Sequence, residues 1–155
     1  MSGLERDYPM HAKIPEDSKG SFGLWISIIN RSAQSYFYHK LEPFGLGTGQ
    51  QAYLLALLPG EEIVQDQLAQ RLQIDRANVT RALGSLIKSG YVQRRISPED
   101  RRARLVSLTE KGTEVRREVE GIASQWIETL QKAVSADEWN QSEQTLRKIA
   151  LSLHE

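Results

Sequence analysis

The sequence predicts a mainly α-helical chain carrying one small β-hairpin, and three observations lead there. Apolar residues recur at spacings of three and four through most of the 155 positions, the period of a helix with one buried side. Helix-stopping residues punctuate that pattern at Pro43 and Gly45, at Pro59-Gly60 and at Gly90. Only "YVQRRI" and "RLVSL", on either side of "SPEDRRA", depart from it. They read as two short β-prone runs joined by an arginine-rich turn.

Composition sets the frame. Hydrophobic residues are 39% and charged residues 26%, ordinary proportions for a soluble protein, and no run approaches the roughly 18 apolar residues of a membrane span. The first twenty residues are mixed in charge and broken by Pro9 and Pro15, without the apolar stretch of a signal peptide. A cytoplasmic location away from any membrane is expected, with residues 1–20 a flexible N-terminal segment and 21–155 a single domain. There is no cysteine, and three scattered histidines make no ligand cluster. Disulfides, thiolate metal sites and thiol redox switches are therefore not expected, and the metal and cofactor expectation is none.

The elements follow in order. Phe22, Trp25, Ile26, Ile29, Ala33, Tyr36, Phe37 and Leu41 mark a long amphipathic helix ending near Pro43. A shorter helix starts at about Thr48, apolar at Ala52, Leu55 and Leu58, and stops at Pro59-Gly60. Two short helices come next, the first with Leu68, Ala69 and Leu72, the second with Val79, Leu83, Leu86 and Ile87, ending at Gly90 as a left-handed cap. At "LQID" between them, Ile74 can plug the angle and Asp75 can cap the second helix. This is a helix-turn-helix, and the hairpin after it is the wing of a winged helix. Thr109 is placed to cap a long helix with Val115, Val119, Ile122, Trp126 and Leu130 on one side. "SADE", from Ser135 to Glu138, has capping-box form and opens a last helix with Trp139, Leu146, Ile149 and Leu153.

Residues 48–108 thus form a winged helix-turn-helix part, and its core from Val64 to Leu108 is complete in itself. The apolar stripes of 21–45 and 110–155 need another surface. The expected architecture is a winged helix-turn-helix embedded in a helical dimerisation scaffold, with a second copy of the chain as partner.

Net charge is zero, yet the segment from Arg71 to Arg104 holds nine basic residues against three acids, a balance of +6, leaving −6 on the remainder. A basic module on acidic flanks is the pattern of a surface that faces a polyanion. With Val79, Leu83 and Leu86 turned to the core, the opposite side of the second short helix carries Ala77, Arg81, Gly84 or Ser85, and Lys88, with Asn78 beside it and Arg76 at its start. Asn78 and Arg81 suit adenine and guanine edges, Ala77 or Thr80 a thymine methyl, and Ser85 and Lys88 phosphates. In the wing, Arg95, Arg101, Arg102 and Arg104 would meet the backbone or a neighbouring minor groove of double-stranded DNA. Asp100 among them is expected to brace the tip by pairing with Arg102 or Arg104, while Arg101 or Arg102 inserts.

"QDQLAQRLQIDRANVTRALGSLIKSGYVQRRISPEDRRARLVSLTEKG" resembles the helix-turn-helix and wing of the MarR family of transcriptional regulators, and the likeness runs from about Ser21 to Leu153. "DRR" at Asp100 to Arg102 and "LTEKG" at Leu108 to Gly112 stand where that family has its wing motif and the following helix start. The resemblance implies a homodimer on a pseudo-palindromic operator, usually a repressor, often released by a small phenolic or aromatic anion. It also implies a ligand pocket between the dimerisation helices and the winged helix, for which Arg31 and Tyr36, with His39 and Tyr53 behind them, are the candidates; the arginine could equally be an ion-pair partner and the tyrosines core. Two departures stand out. Gly47 follows Leu46 where the family has threonine, with Thr48 and Gln50 after it, and Val64 takes the place of a Ser or Thr cap, so that helix start is expected to be less firmly held.

No nucleophile elbow, phosphate-binding glycine loop or HExxH pattern occurs, so no catalytic residues are expected and the chain is not read as an enzyme. A nonspecific architectural DNA binder and a winged helix used for protein interaction are the competing readings. The first would show salt dependence without a preferred sequence.

Overall fold

A computed structural model of the chain describes residues 21–153; the expectation of a flexible segment at 1–20 lies outside them. The order is α1 (Phe22–Leu41), a 3-10 turn (Glu42–Phe44), α2 (Gln50–Ala56), β1 (Glu62–Val64), α3 (Gln65–Leu72), α4 (Arg76–Lys88), β2 (Val92–Ile96), β3 (Arg104–Leu108), α5 (Glu110–Gln131) and α6 (Ala136–Ser152). The chain divides within α1 into two compact units, Met1–Ser32 and Ala33–Glu155.

In the first unit, Ser21 Oγ accepts the Leu24 N–H at 3.2 Å at the head of α1. Phe22, Trp25, Ile26 and Ile29 are exposed there.

The second unit holds the core. Leu41, Leu54, Leu57, Leu68, Val79, Leu83, Leu86, Val92, Val106 and Val119 are fully buried, so the rest of α1 and each element from α2 to α5 contributes to one apolar cluster. Tyr36, Phe37 and Trp126 pack edge-on and tilted against one another at its edge, with Tyr36 and Trp126 ring centres 5.2 Å apart. The Tyr36 hydroxyl donates to the Ile122 carbonyl at 3.1 Å, joining α1 to α5.

The expected buried side of α2 was Ala52, Leu55 and Leu58; the structure instead buries Tyr53, Leu54 and Leu57 and leaves Leu58 51% exposed. The helix starts only at Gln50, after Gly49 with φ 86°, and Leu57 is already extended. Seven helical residues make too short a window for apolar spacing to fix a face. The carbonyls at the end of α2 are taken by two arginines: Arg116 Nε donates to Leu57 O at 3.0 Å and Arg71 Nη1 to Ala56 O at 2.5 Å. Arg71 also grips Glu61 through both carboxylate oxygens, at 2.8 and 2.7 Å.

Between α3 and α4 the chain turns at Gln73, a non-glycine residue at φ 54°. Ile74 packs against the core as expected, and Asp75 Oδ1 accepts the Asn78 N–H at 2.9 Å to cap α4. The start of α3 is better held than the sequence suggested. Val64 has no acceptor of its own, but Gln67 Oε1 reaches back to its N–H at 3.1 Å, which is half of a capping box.

The expected two-stranded hairpin is a three-stranded antiparallel sheet, ordered β1-β3-β2. β1 pairs Glu62 with Ser107, Ile63 with Val106 and Val64 with Leu105; three residues are too few to show alternation. Across β3, Val92 pairs with Leu108, Arg94 with Val106 and Ile96 with Arg104. One face of the sheet therefore carries Val92, Val106 and Leu108 into the core and continues past it with Arg94, Ile96 and Arg104.

The end of α4 and the start of α5 are clasped together. Thr109 N–H donates to Tyr91 O at 3.0 Å, Thr109 Oγ1 to Gly90 O at 2.6 Å, and Lys111 Nζ to Ser89 O at 3.1 Å. Gly90 is left-handed, φ 77°, as expected of the cap. The Thr109 hydroxyl oxygen also accepts the Gly112 N–H at 2.9 Å, capping α5. These contacts give "LTEKG" its physical content. Ser135 and Glu138 form the expected capping box of α6, a helix with no buried residue in which Leu146, Ile149 and Leu151 stay exposed, as does Leu153 just after it.

Candidate nucleic-acid interface

α4 presents what its pattern predicted. Val79, Leu83 and Leu86 are buried, and Arg76, Ala77, Asn78, Thr80, Arg81, Ser85 and Lys88 are exposed. The exposed set is not uniform. Arg76 pairs with Asp66 of α3 at 3.1 Å. Thr80 Oγ1 accepts Gln65 Nε2 at 2.7 Å and donates to the Arg76 carbonyl at 2.8 Å. Asn78 donates through Nδ2 to Asp75 and accepts from Arg81 Nη2. The hydrogen bonds from the Asn78 backbone hold the Asp75 carboxyl below its ordinary range, with the nearby Arg81 charge acting in the same direction. For Ser85 and Lys88 the side chains make no hydrogen bond among the described residues.

The wing corrects one expectation. Asp100 does not pair with the guanidinium of Arg102 or Arg104. Its Oδ1 accepts the backbone N–H of Arg102 at 2.9 Å, an Asx turn within the tip. Arg104 Nη1 instead donates to the Arg101 carbonyl at 3.0 Å. The reason is local: the Arg102 amide is only two positions on from Asp100, a closure that orders fewer side-chain torsions than reaching a long guanidinium. Buried Ser97 supports the same turn, its Oγ accepting the Glu99 and Asp100 N–H groups at 3.3 and 3.4 Å. Asp100 is a brace, acting on the backbone, and the exposed guanidinium groups of Arg101 and Arg102 have no ion-pair partner among the described residues.

Arg95 differs from those two. It is locked to Glu62 of β1, with Nε donating to Oε2 at 2.7 Å and Nη2 to Oε1. The hydrogen bond from Arg95 holds the Glu62 carboxyl below its ordinary range. Sequence reasoning passed over Glu62 because β1 was not foreseen. It also passed over Arg94, exposed on the same sheet face as Ile96 and Arg104; stepping by two from Val92 would have found it.

The ligand candidates differ in their surroundings. In the first unit Arg31 is exposed and Nη1 donates to Ser27 Oγ at 2.5 Å. Tyr36 and Tyr53 are buried in the second unit, and burial raises both phenols above their ordinary value. His39 is exposed, its ring edge-on to Tyr38. None of Tyr36, His39 and Tyr53 lines the cavity of about 460 Å3 between Leu55 and α5, whose wall is Arg116, Glu120, Ala123, Ser124, Ile127 and Glu128. Aromatic residues at helical spacing supplied the core here, a use that the sequence pattern shares with a binding site.

No group of three or more His, Asp or Glu side chains that could hold a metal occurs among the described residues. None of the described helices is long and apolar enough to cross a membrane.

Comparison with known proteins places this geometry. Residues 45–103 match the model of the MarR family. The chain is 39% identical over 87 residues to the transcriptional repressor MprA of Escherichia coli K12, a stretch covering 56% of this chain and 49% of that one. A crystal structure of a MarR transcriptional regulator from Methanosarcina mazei Go1 superposes with a TM-score of 0.74 at 34% identity, over 84% of this chain and 96% of that one. A mutant MarR from E. coli complexed with operator DNA gives a TM-score of 0.74 at 27% identity, over 82% and 91%. These relatives are transcriptional regulators and not enzymes.

Proposed function

The chain belongs to the MarR family of transcriptional regulators, and from that premise we propose that it binds double-stranded operator DNA as a homodimer and represses transcription in the cytoplasm. The observation that carries the DNA reading is the two-sided α4: Val79, Leu83 and Leu86 fully buried, with Asn78, Arg81, Ser85 and Lys88 exposed opposite. Such a helix fits a major groove, and a wing with exposed Arg101 and Arg102 reaches backbone or minor groove beside it. The solved neighbour bound to operator DNA and the repressor MprA support the same role.

A second copy of the chain is the proposed cover for the exposed apolar residues of α6, and separately for Phe22, Trp25, Ile26 and Ile29. Under this reading 21–45 and 110–155 are dimerisation helices, 48–108 is the DNA-binding part, and two-fold symmetry makes the operator pseudo-palindromic. A small phenolic or aromatic anion is the proposed effector. Leu55, Ala123 and Ile127 give the cavity beside α5 an apolar wall, and its guanidinium, Arg116, is paired there with Glu120 at 3.0 Å.

The test is selection of bound duplexes from a random pool at near-physiological salt, with the oligomeric state measured on the same sample. An enriched inverted repeat with half-sites roughly 34 to 36 Å apart is expected. Retention without a consensus would instead favour an architectural binder, and no retention would favour a winged helix that docks protein.

A further inference from the structure

The polar side of α4 is connected along its own length. Asp75 receives the Asn78 backbone N–H on Oδ1, at 2.9 Å, and the Asn78 side-chain Nδ2 on Oδ2. Asn78 Oδ1 in turn receives Arg81 Nη2. Two successive steps of three residues bring carboxylate, amide and guanidinium into one row on the helix surface. All three residues are exposed, so nothing but these hydrogen bonds orders them.

A side-chain amide has one oxygen and one nitrogen with which to meet a base edge. Reading adenine requires both to aim outward together. In Asn78 the oxygen faces Arg81 and the nitrogen faces Asp75, so both ends of the amide are engaged along the helix. The guanidinium of Arg81 has five N–H donors and gives one to Asn78, leaving an unspent fork. We infer that Asn78 is a positioning residue that holds the Arg81 guanidinium in the orientation with which it meets a guanine edge, and that Asn78 does not itself read a base; this rests on the DNA-binding reading above. Held this way, Arg81 gives up less rotamer freedom on docking.

The experiment measures affinity for the selected duplex and for each of its single base-pair variants, with the parent chain, Asn78→Ala, Arg81→Ala and the double variant. Asn78→Ala is expected to lower discrimination about 3- to 10-fold at the same base pair that Arg81→Ala relaxes, and the double variant is expected to match Arg81→Ala within about two-fold. Asp75→Ser keeps an oxygen for the Asn78 backbone N–H but none for Nδ2, and is expected to relax that same base pair to a lesser degree with α4 still helical by circular dichroism. Loss at a different base pair, adding to that of Arg81→Ala, would make Asn78 a reader and overturn the inference; so would unchanged discrimination. A parent chain that selects no sequence would sink the DNA-binding reading itself, and this inference with it.

Discussion

Glu62 and Arg95 are paired across a strand that lies between them: Glu62 is on β1, Arg95 on β2, and β3 runs through the middle of the sheet. The pair crosses the sheet face opposite the core and ties the root of the wing to its far edge. It also offsets the Arg95 charge before DNA arrives, which separates this arginine from Arg101 and Arg102. Arg101→Ala or Arg102→Ala is expected to weaken binding to all sequences and to lower the slope of log affinity against log salt by about 1, and Arg95→Ala by less than about half of that. Fluorescence anisotropy titrations over a range of salt decide it. Equal slopes for all three would mean that Arg95 leaves Glu62 for a phosphate.

Arg81 and Lys88 stand about two turns apart on the exposed side of α4 and are expected to do different things. Arg81→Ala should relax base preference at one position of each half-site, at a cost of about 1 to 3 kcal/mol, while Lys88→Ala weakens all sequences alike. The measurement is the affinity for single base-pair variants of the selected operator. A uniform loss for Arg81→Ala would remove it from direct readout.

The Glu61–Arg71 pair should show in the pH dependence of stability. The hydrogen bonds from Arg71, then from the Leu58 amide, hold the Glu61 carboxyl at about 2 against an ordinary 4.5. A carboxyl lowered in the folded state adds stability above its unfolded value and loses that contribution as pH falls through the folded one. The contribution is therefore complete above about pH 4.5 and gone by about pH 2. Glu61→Gln is expected to be less stable than the parent at neutral pH and to converge on it in acid, followed by urea midpoints. A gap that does not narrow would assign the loss to the amide's own contacts.

Gly112 lies under the carbonyl of Tyr91, where an added Cβ would fall 1.8 Å from the oxygen. The obstacle is backbone, and the Thr109 contacts to Gly90 and Tyr91 hold it in place. Gly112→Ala is expected to destabilise by about 3 kcal/mol or more. Gly121→Ala, where a Cβ would meet nothing within 4 Å, is the internal control and should be neutral or stabilising.

Leu146 and Ile149 of α6 are 51% and 39% exposed. If a second copy covers them, Leu146→Glu with Ile149→Glu should shift sedimentation from dimer to monomer and abolish preference for an inverted repeat over a single half-site. A chain that stays dimeric would place the interface elsewhere.

The long helices, the helix-turn-helix and its cap at Asp75 were legible because each rests on a local rule, either spacing over many residues or one side chain meeting an amide three positions on. What escaped was short or non-local. The seven residues of α2 could not fix a face, so Leu58 was placed inwards and Tyr53 was not. The three of β1 could not show alternation, and without β1 the partner of Arg95 was invisible. Asp100 was expected to pair with the side chain of Arg102 or Arg104, and sequence cannot tell a guanidinium partner from the backbone amide two residues on. Tyr36 and Tyr53 pose a different problem: aromatic residues in a helical pattern serve the core as readily as a pocket, and here both are buried.

The clasp between Ser89–Tyr91 and Thr109–Lys111 has a mechanical consequence. From Ser89 back to Asn78, α4 extends on the order of 16 Å at about 1.5 Å per residue. Were α4 to move as one body about that clasp, together with Asp66 and Gln65 of α3 that are tied to it, its Asn78 end would travel farthest. A tilt of α5 by about 10° would sweep the Asn78 end through about 3 Å, the length of one hydrogen bond. Arg81 and Lys88 lie at different radii from the clasp, so the same tilt would move them by unequal amounts. Angular slack in α5 would thus be magnified toward the beginning of α4 and barely felt at its end.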